Sequence, residues 1–131
     1  MAAIRPKYGF EDLEVYQRAR EFRKKMYAIA RKLPSEEKFN LVSQIRRAAL
    51  SVTNNIAEGH GRFHYLENIH FLLQSRGSLQ ELVDDLITCE DETYCPDSNL
   101  GLLKDEAYVL LRSINGYIAF LRKKKLGENQ L

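Results

Sequence analysis

The chain has 131 residues, 44% of them hydrophobic and 29% charged, and a net charge of +2. That length and balance fit one globular domain and exclude a disordered or multi-domain chain. The near-neutral charge argues against strong indiscriminate nucleic-acid binding, and the lack of a run of about twenty apolar residues excludes a membrane span.

The small net charge hides an asymmetry. Residues 1–62 hold thirteen Lys/Arg against seven Asp/Glu, residues 63–97 one against eight, and residues 98–131 six against three. Such segregation can pair charges between helices or subunits, or leave basic surface open to a polyanion. The first residues, Met1-Ala2-Ala3-Ile4-Arg5-Pro6, lack the apolar core of a signal peptide, so cytoplasmic residence is expected. Pro is scarce, alternating Val/Ile/Thr runs are missing, and apolar residues recur at helical spacing almost throughout, which favours an all-α chain.

Taken in chain order, the spacing predicts a first helix over 13–32, capped by Asp12, with Val15, Ala19, Phe22, Met26, Ile29 and Leu33 as its buried seam and Pro34 as its stop. A second helix over 36–58 is expected from a Ser35 cap with Glu36 and Glu37 on its positive end. Gly59 and Gly61 should close it in the left-handed conformation. A third helix over 64–92 carries Leu66, Ile69, Leu72, Leu73, Leu79, Leu82, Val83, Leu86 and Ile87. Gly77 inside it suggests a close approach of another backbone. After the loop from Tyr94 to Asn99, a fourth helix over 99–125 presents Leu103, Ala107, Leu110, Ile114, Tyr117 and Leu121, and residues 126–131 read as a frayed tail. Four such helices with short connections fold most simply as an antiparallel up-down-up-down bundle. Seams repeating near 3.5 residues fit left-handed crossings of about 20°.

The second helix carries two stripes. Ile45, Ala49, Val52 and Ile56 form a packing seam, and one step around lie Gln44, Arg47, Ser51, Asn55 and Glu58. The polar stripe admits two readings: a hydrogen-bonded network between helices or subunits, with Glu81 as partner of Arg47, or a contact surface for a ligand or RNA. Asn55 and Glu58 could instead hold the backbone of the glycine turn.

The run Gln44-x-x-Arg47-Ala48-Ala49-x-Ser51-x-x-x-Asn55-Ile56-Ala57-Glu58-Gly59, then Gly61-Arg62, Phe71-Leu72 and Gly77-Ser78-Leu79-x-Glu81-Leu82, resembles the four-helix bundle proteins encoded in intervening sequences of bacterial 23S ribosomal RNA genes. The likeness extends from Phe10-x-x-Leu13 through Leu33-Pro34 and Glu37 into the last helix. Thr53 stands where many members have Pro, and His64 where they have Ser, which removes an expected helix cap. The resemblance implies a pentameric ring. A related branch, the accessory proteins of diversity-generating retroelements, binds RNA and a reverse transcriptase and is more basic than this chain.

Candidate phosphate contacts are Arg46, Arg47 and Arg62, the run Arg122, Lys123, Lys124 and Lys125, and the first-helix set Arg18, Arg20, Arg23, Lys24 and Lys25. A solvated helix face is the plain alternative for each, and the last run also suits the negative end of a helix. His60, His64, His70 and Glu67 lie close in sequence without the spacing of a metal site, and Cys89 and Cys95 match no zinc or redox motif. No cofactor is expected, and no catalytic order of residues points to an enzyme. The aromatics Tyr8, Phe10, Tyr16, Phe63, Tyr65, Phe71, Tyr94, Tyr108 and Phe120 exceed what a thin core needs, so some should be covered by another subunit. Two readings stay open: a non-enzymatic oligomer that associates with RNA through basic helix faces, and a protein-interaction scaffold without nucleic-acid binding. Among the motif residues, Gln44, Arg47, Ser51, Asn55, Glu58, Gly59 and Glu81 are expected to stabilise the bundle or its assembly.

Overall fold

The computed structural model describes residues 9–129; Tyr8, and Gln130 and Leu131 of the expected tail, lie outside that range. A 3-10 turn, Gly9–Asp12, leads into α1 (Glu14–Lys32); a second, Ser35–Glu37, precedes α2 (Leu41–His60); α3 (Tyr65–Asp91) and α4 (Leu100–Asn129) complete the chain. Each helix packs on two others, α1 on α2 and α4, and α3 on α2 and α4. The described residues are thus helices and connections only, four long helices around one core.

Periodicity builds that core. Val15, Ala19, Phe22, Met26 and Ile29 of α1 meet Ile45, Ala49, Val52 and Ile56 of α2, Leu72, Leu79, Leu82 and Leu86 of α3, and Leu110, Ile114 and Ile118 of α4, all buried. Two members of the expected third-helix seam do not join it: Leu66 and Ile87 are 46% and 40% exposed. They sit out of phase with Leu72, Leu79 and Leu86, so the helix turns them outward.

Helix starts differ from expectation. Leu13, not Asp12, is the residue preceding α1, and no side chain caps that end. Ser35 does not cap α2, because residues 35–37 close a 3-10 turn in which the Lys38 N–H reaches the Ser35 carbonyl at 3.1 Å. Asn40, with φ −125° and ψ −97°, then separates that turn from the helix. A tertiary tie holds the turn: the Glu37 carboxylate accepts from Tyr94 Oη at 2.9 Å and from Asn40 Nδ2 at 3.2 Å. His64 precedes α3 without a side-chain cap, as the Ser-to-His departure implied.

The glycines exchange roles. α2 runs through Gly59 to His60, and Gly61 closes it at φ −75°, outside the left-handed region. A Cβ on Gly59 would stand 2.7 Å from Asn68 Oδ1 and 2.9 Å from Phe71 Cβ, so the close approach between helices occurs here. At Gly77 a Cβ would meet nothing within 4 Å, so no backbone approaches it. The expected frayed tail is also corrected as far as it is described, since α4 continues to Asn129.

Candidate functional site

The polar stripe of α2 lies along its seam with α3. Ser51 Oγ and Ser78 Oγ are 2.8 Å apart, half-buried, and Asn55 Nδ2 donates to both the carbonyl and the Oγ of Ser51 at 2.9 Å. Arg47 reaches Glu81 at 3.2 Å, the partner expected from sequence, but both side chains remain more than half exposed, at 64% and 53%. Gln44 turns back to Asn40 at 3.4 Å, and Glu58 pairs with Arg62 at 2.6 Å. Neither the Asn55 amide nor the Glu58 carboxylate goes to the glycine turn; the backbone there is closed by Gly61 N–H donating to the Ala57 and Glu58 carbonyls. The stripe is therefore an intrachain ladder whose centre is half-buried and whose ends are wet.

Several partners have no motif signal. Ser75, fully buried on α3, donates to the Val52 carbonyl at 2.8 Å. Thr53 is buried, back-bonds to the Leu50 carbonyl at 3.1 Å and accepts from Arg23 at 2.8 Å. Where Pro would remove a donor, this chain instead ties α1 to α2. Asp85 is buried on α3 with Oδ2 unpartnered. Burial, with Asp84 and Glu81 nearby, pushes its carboxyl up to about 6, and Arg47 pulls weakly the other way. Only its place beside Ser78 and Glu81 on the helix repeat could have flagged it.

The basic candidates divide. Lys24 pairs with Glu21 at 3.1 Å, Lys25 with Glu106 at 2.8 Å, Arg18 with Glu14 at 2.8 Å, and Arg47 and Arg62 pair as above. Arg46 lies over the Tyr27 ring at 4.4 Å, and Arg62 also over Phe71 at 5.1 Å. Arg122, Lys123 and Lys124 are exposed, Lys125 is half-buried, and among the described residues none of the four has an ion pair; Lys124 lies 5.5 Å from the Phe120 ring centre. Tyr117 Oη, 3.5 Å from His60 Nδ1, places the middle of α4 level with the end of α2. The eight residues to Lys125 therefore carry the basic run about 12 Å further along the axis, on the side of the α2–α3 turn where Phe63 is 99% exposed.

Among the described residues no group of three or more His, Cys, Asp or Glu is placed to hold a metal ion. Cys89 and Cys95 are both free and buried. Burial pushes the Cys89 thiol up to about 12 and the Cys95 thiol up as well, which keeps both protonated and unreactive. No described helix is long and apolar enough to cross a membrane.

Four long helices packed pairwise on an aliphatic core, with a hydrogen-bonded seam between the second and third, define an all-helical four-helix protein. The family model for the 23S rRNA-intervening sequence protein matches residues 11–116, and the chain belongs to that family. No curated protein matches it.

Proposed function

We propose that this protein is a non-enzymatic homo-oligomer, a ring of five antiparallel, left-handed four-helix bundles, that binds structured RNA through phosphates at the basic end of α4. The antiparallel order is supported by the α2–α3 contacts, in which Arg47 meets Glu81, Ser51 meets Ser78 and Gly59 meets Asn68. The number of copies comes from the family likeness. Exposed Tyr108 and Phe120, at 46% and 51%, support a covered surface.

The single observation behind the RNA reading is that Arg122, Lys123, Lys124 and Lys125 form one continuous run whose charge is free of carboxylates, whereas Arg18, Lys24, Lys25, Arg47 and Arg62 are each paired with one. Lys and Arg there can neutralise phosphates without reading bases, and Phe63 in the neighbouring turn offers a face for an unpaired base.

The experiment is fluorescence anisotropy with a fragment of ribosomal RNA across a salt series, on oligomer whose mass is fixed by light scattering. Affinity should fall steeply with salt, and the Lys123→Gln/Lys124→Gln/Lys125→Gln variant should bind more weakly with a slope smaller by about 2 to 3 per chain engaged. No binding at low salt sinks the RNA reading. The second reading, a scaffold for a protein partner without nucleic-acid binding, then takes its place.

A further inference from the structure

α3 carries a second heptad stripe outside the core. From Leu66 to Asp91, the positions that alternate by four and three residues carry Leu66, Leu73, Gly77, Asp84, Ile87 and Asp91, with the exposed polar His70 and Gln80 between them, in phase with one another and out of phase with Leu72, Leu79 and Leu86. Leu66 and Ile87 are exposed, Leu73 is half-buried, and the space over Gly77 is open. Aliphatics recurring at that repeat on one outer face suit a helix that receives another chain. Asp84 and Asp91 are exposed and have no ion pair among the described residues.

The opposite side of the bundle has the complementary character. On α1, Arg20, Arg23, Tyr27 and Arg31 follow at spacings of three and four on the side that faces α2, as the Arg23–Thr53 and Arg46–Tyr27 contacts show. Arg20 and Arg31 are exposed without ion pairs among the described residues, and Leu50 of α2, 43% exposed, lies one turn beyond Arg46. The acids of α1, Glu14 and Glu21, line the groove toward α4 instead, and the one acid of α2, Glu58, is held by Arg62.

We infer that the oligomer closes head to tail, the basic outer face of α1 and α2 in one copy receiving the α3 stripe of the next. This rests on the homo-oligomeric reading above and names the two surfaces that meet. An isologous contact would set arginine against arginine or aspartate against aspartate, whereas two unlike patches on different sides of one molecule join head to tail, which gives a ring where the rotation between copies closes. α3 has 27 residues, so its stripe runs roughly 40 Å, long enough to lie along the outer groove between α1 and α2 of the next copy.

The test is a charge swap read by light scattering, with circular dichroism confirming helix content. Asp84→Lys/Asp91→Lys and, separately, Arg20→Glu/Arg46→Glu should each reduce the oligomer to the 15.2 kDa monomer. The chain carrying all four changes, with both faces inverted, should regain the wild-type mass, which also shows that the substitutions permit folding. If the wild type is itself monomeric, the oligomeric reading falls and this inference with it. If the wild type is oligomeric but either two-site variant keeps its mass, or the four-site variant stays monomeric, only the choice of faces is overturned.

Discussion

Gly59 and Gly77 are both helical glycines, and a methyl group separates their roles. At Gly59 it would press on Asn68 and Phe71 at 2.7 and 2.9 Å, so Gly59→Ala should cost about 1–3 kcal/mol despite the better helix propensity of alanine. At Gly77 it would enter open space, and Gly77→Ala should gain about 0.5–1 kcal/mol. Urea unfolding of the two variants at one protein concentration gives the comparison, and equal effects would contradict it. The sequence could have distinguished them: Gly59 extends the seam Ala49, Val52, Ile56, whereas Gly77 is out of phase with Leu72 and Leu79. Composition alone treats both as breakers. Asp85 supplies a second test. Its folded carboxyl titrates at about 6 against 3.8 for the free group, so the folded state holds the proton more tightly. Stability present below about pH 4 is therefore lost as pH rises toward 6 and stays lost at neutrality. Asp85→Leu should raise unfolding free energy by about 1–2 kcal/mol at pH 7.5 and by less at pH 4.5. An equal gain at both values, or a loss at pH 7.5, would refute the assignment.

Along the α2–α3 seam, the order of importance among motif residues follows from burial rather than from charge. The Arg47–Glu81 pair is mostly in water, where an ion pair is worth less than about 1 kcal/mol, so Arg47→Ala should unfold with a midpoint close to wild type. Ser51→Ala removes the half-buried partner of Ser78 and of Asn55 and should cost about 1–2 kcal/mol. A double-mutant cycle with Ser78→Ala would show coupling between the serines, and its absence would contradict the ladder. The four helices and most of their core were legible because Leu72, Leu79, Ile45 and Phe22 obey one period. Their starts were not. Asp12 and Ser35 are good capping residue types, yet Ser35 sits in a turn fixed by Glu37 and Tyr94, fifty-seven residues apart, a tie that no local pattern contains. Leu66 and Ile87 stay outside the core for the opposite reason: their hydrophobicity suits it, but their phase on α3 does not.

At the scale of the assembly, charge segregation acquires a use. The basic surface divides into a face on α1 and α2, opposite the acidic α3, and the free run at the end of α4. If the first is consumed between copies, each copy contributes only the second, and a ring gathers these runs on one rim. Several weak phosphate-binding ends held together bind one RNA with high effective concentration, so dissociating the ring should weaken binding even where it adds positive charge. The two interface variants test this sharply because they change charge in opposite directions. Asp84→Lys/Asp91→Lys raises the net charge of +2 by four per chain, and Arg20→Glu/Arg46→Glu lowers it by four. Simple electrostatics predicts tighter RNA binding by the first and weaker by the second. Avidity predicts that both bind more weakly than the wild type, each with a shallower salt dependence, and that the four-site chain, with net charge unchanged, recovers both. Anisotropy on the four proteins in parallel separates the cases: tighter binding by the Lys variant as a monomer would mean that RNA follows total charge, and that the rim has no part in holding it.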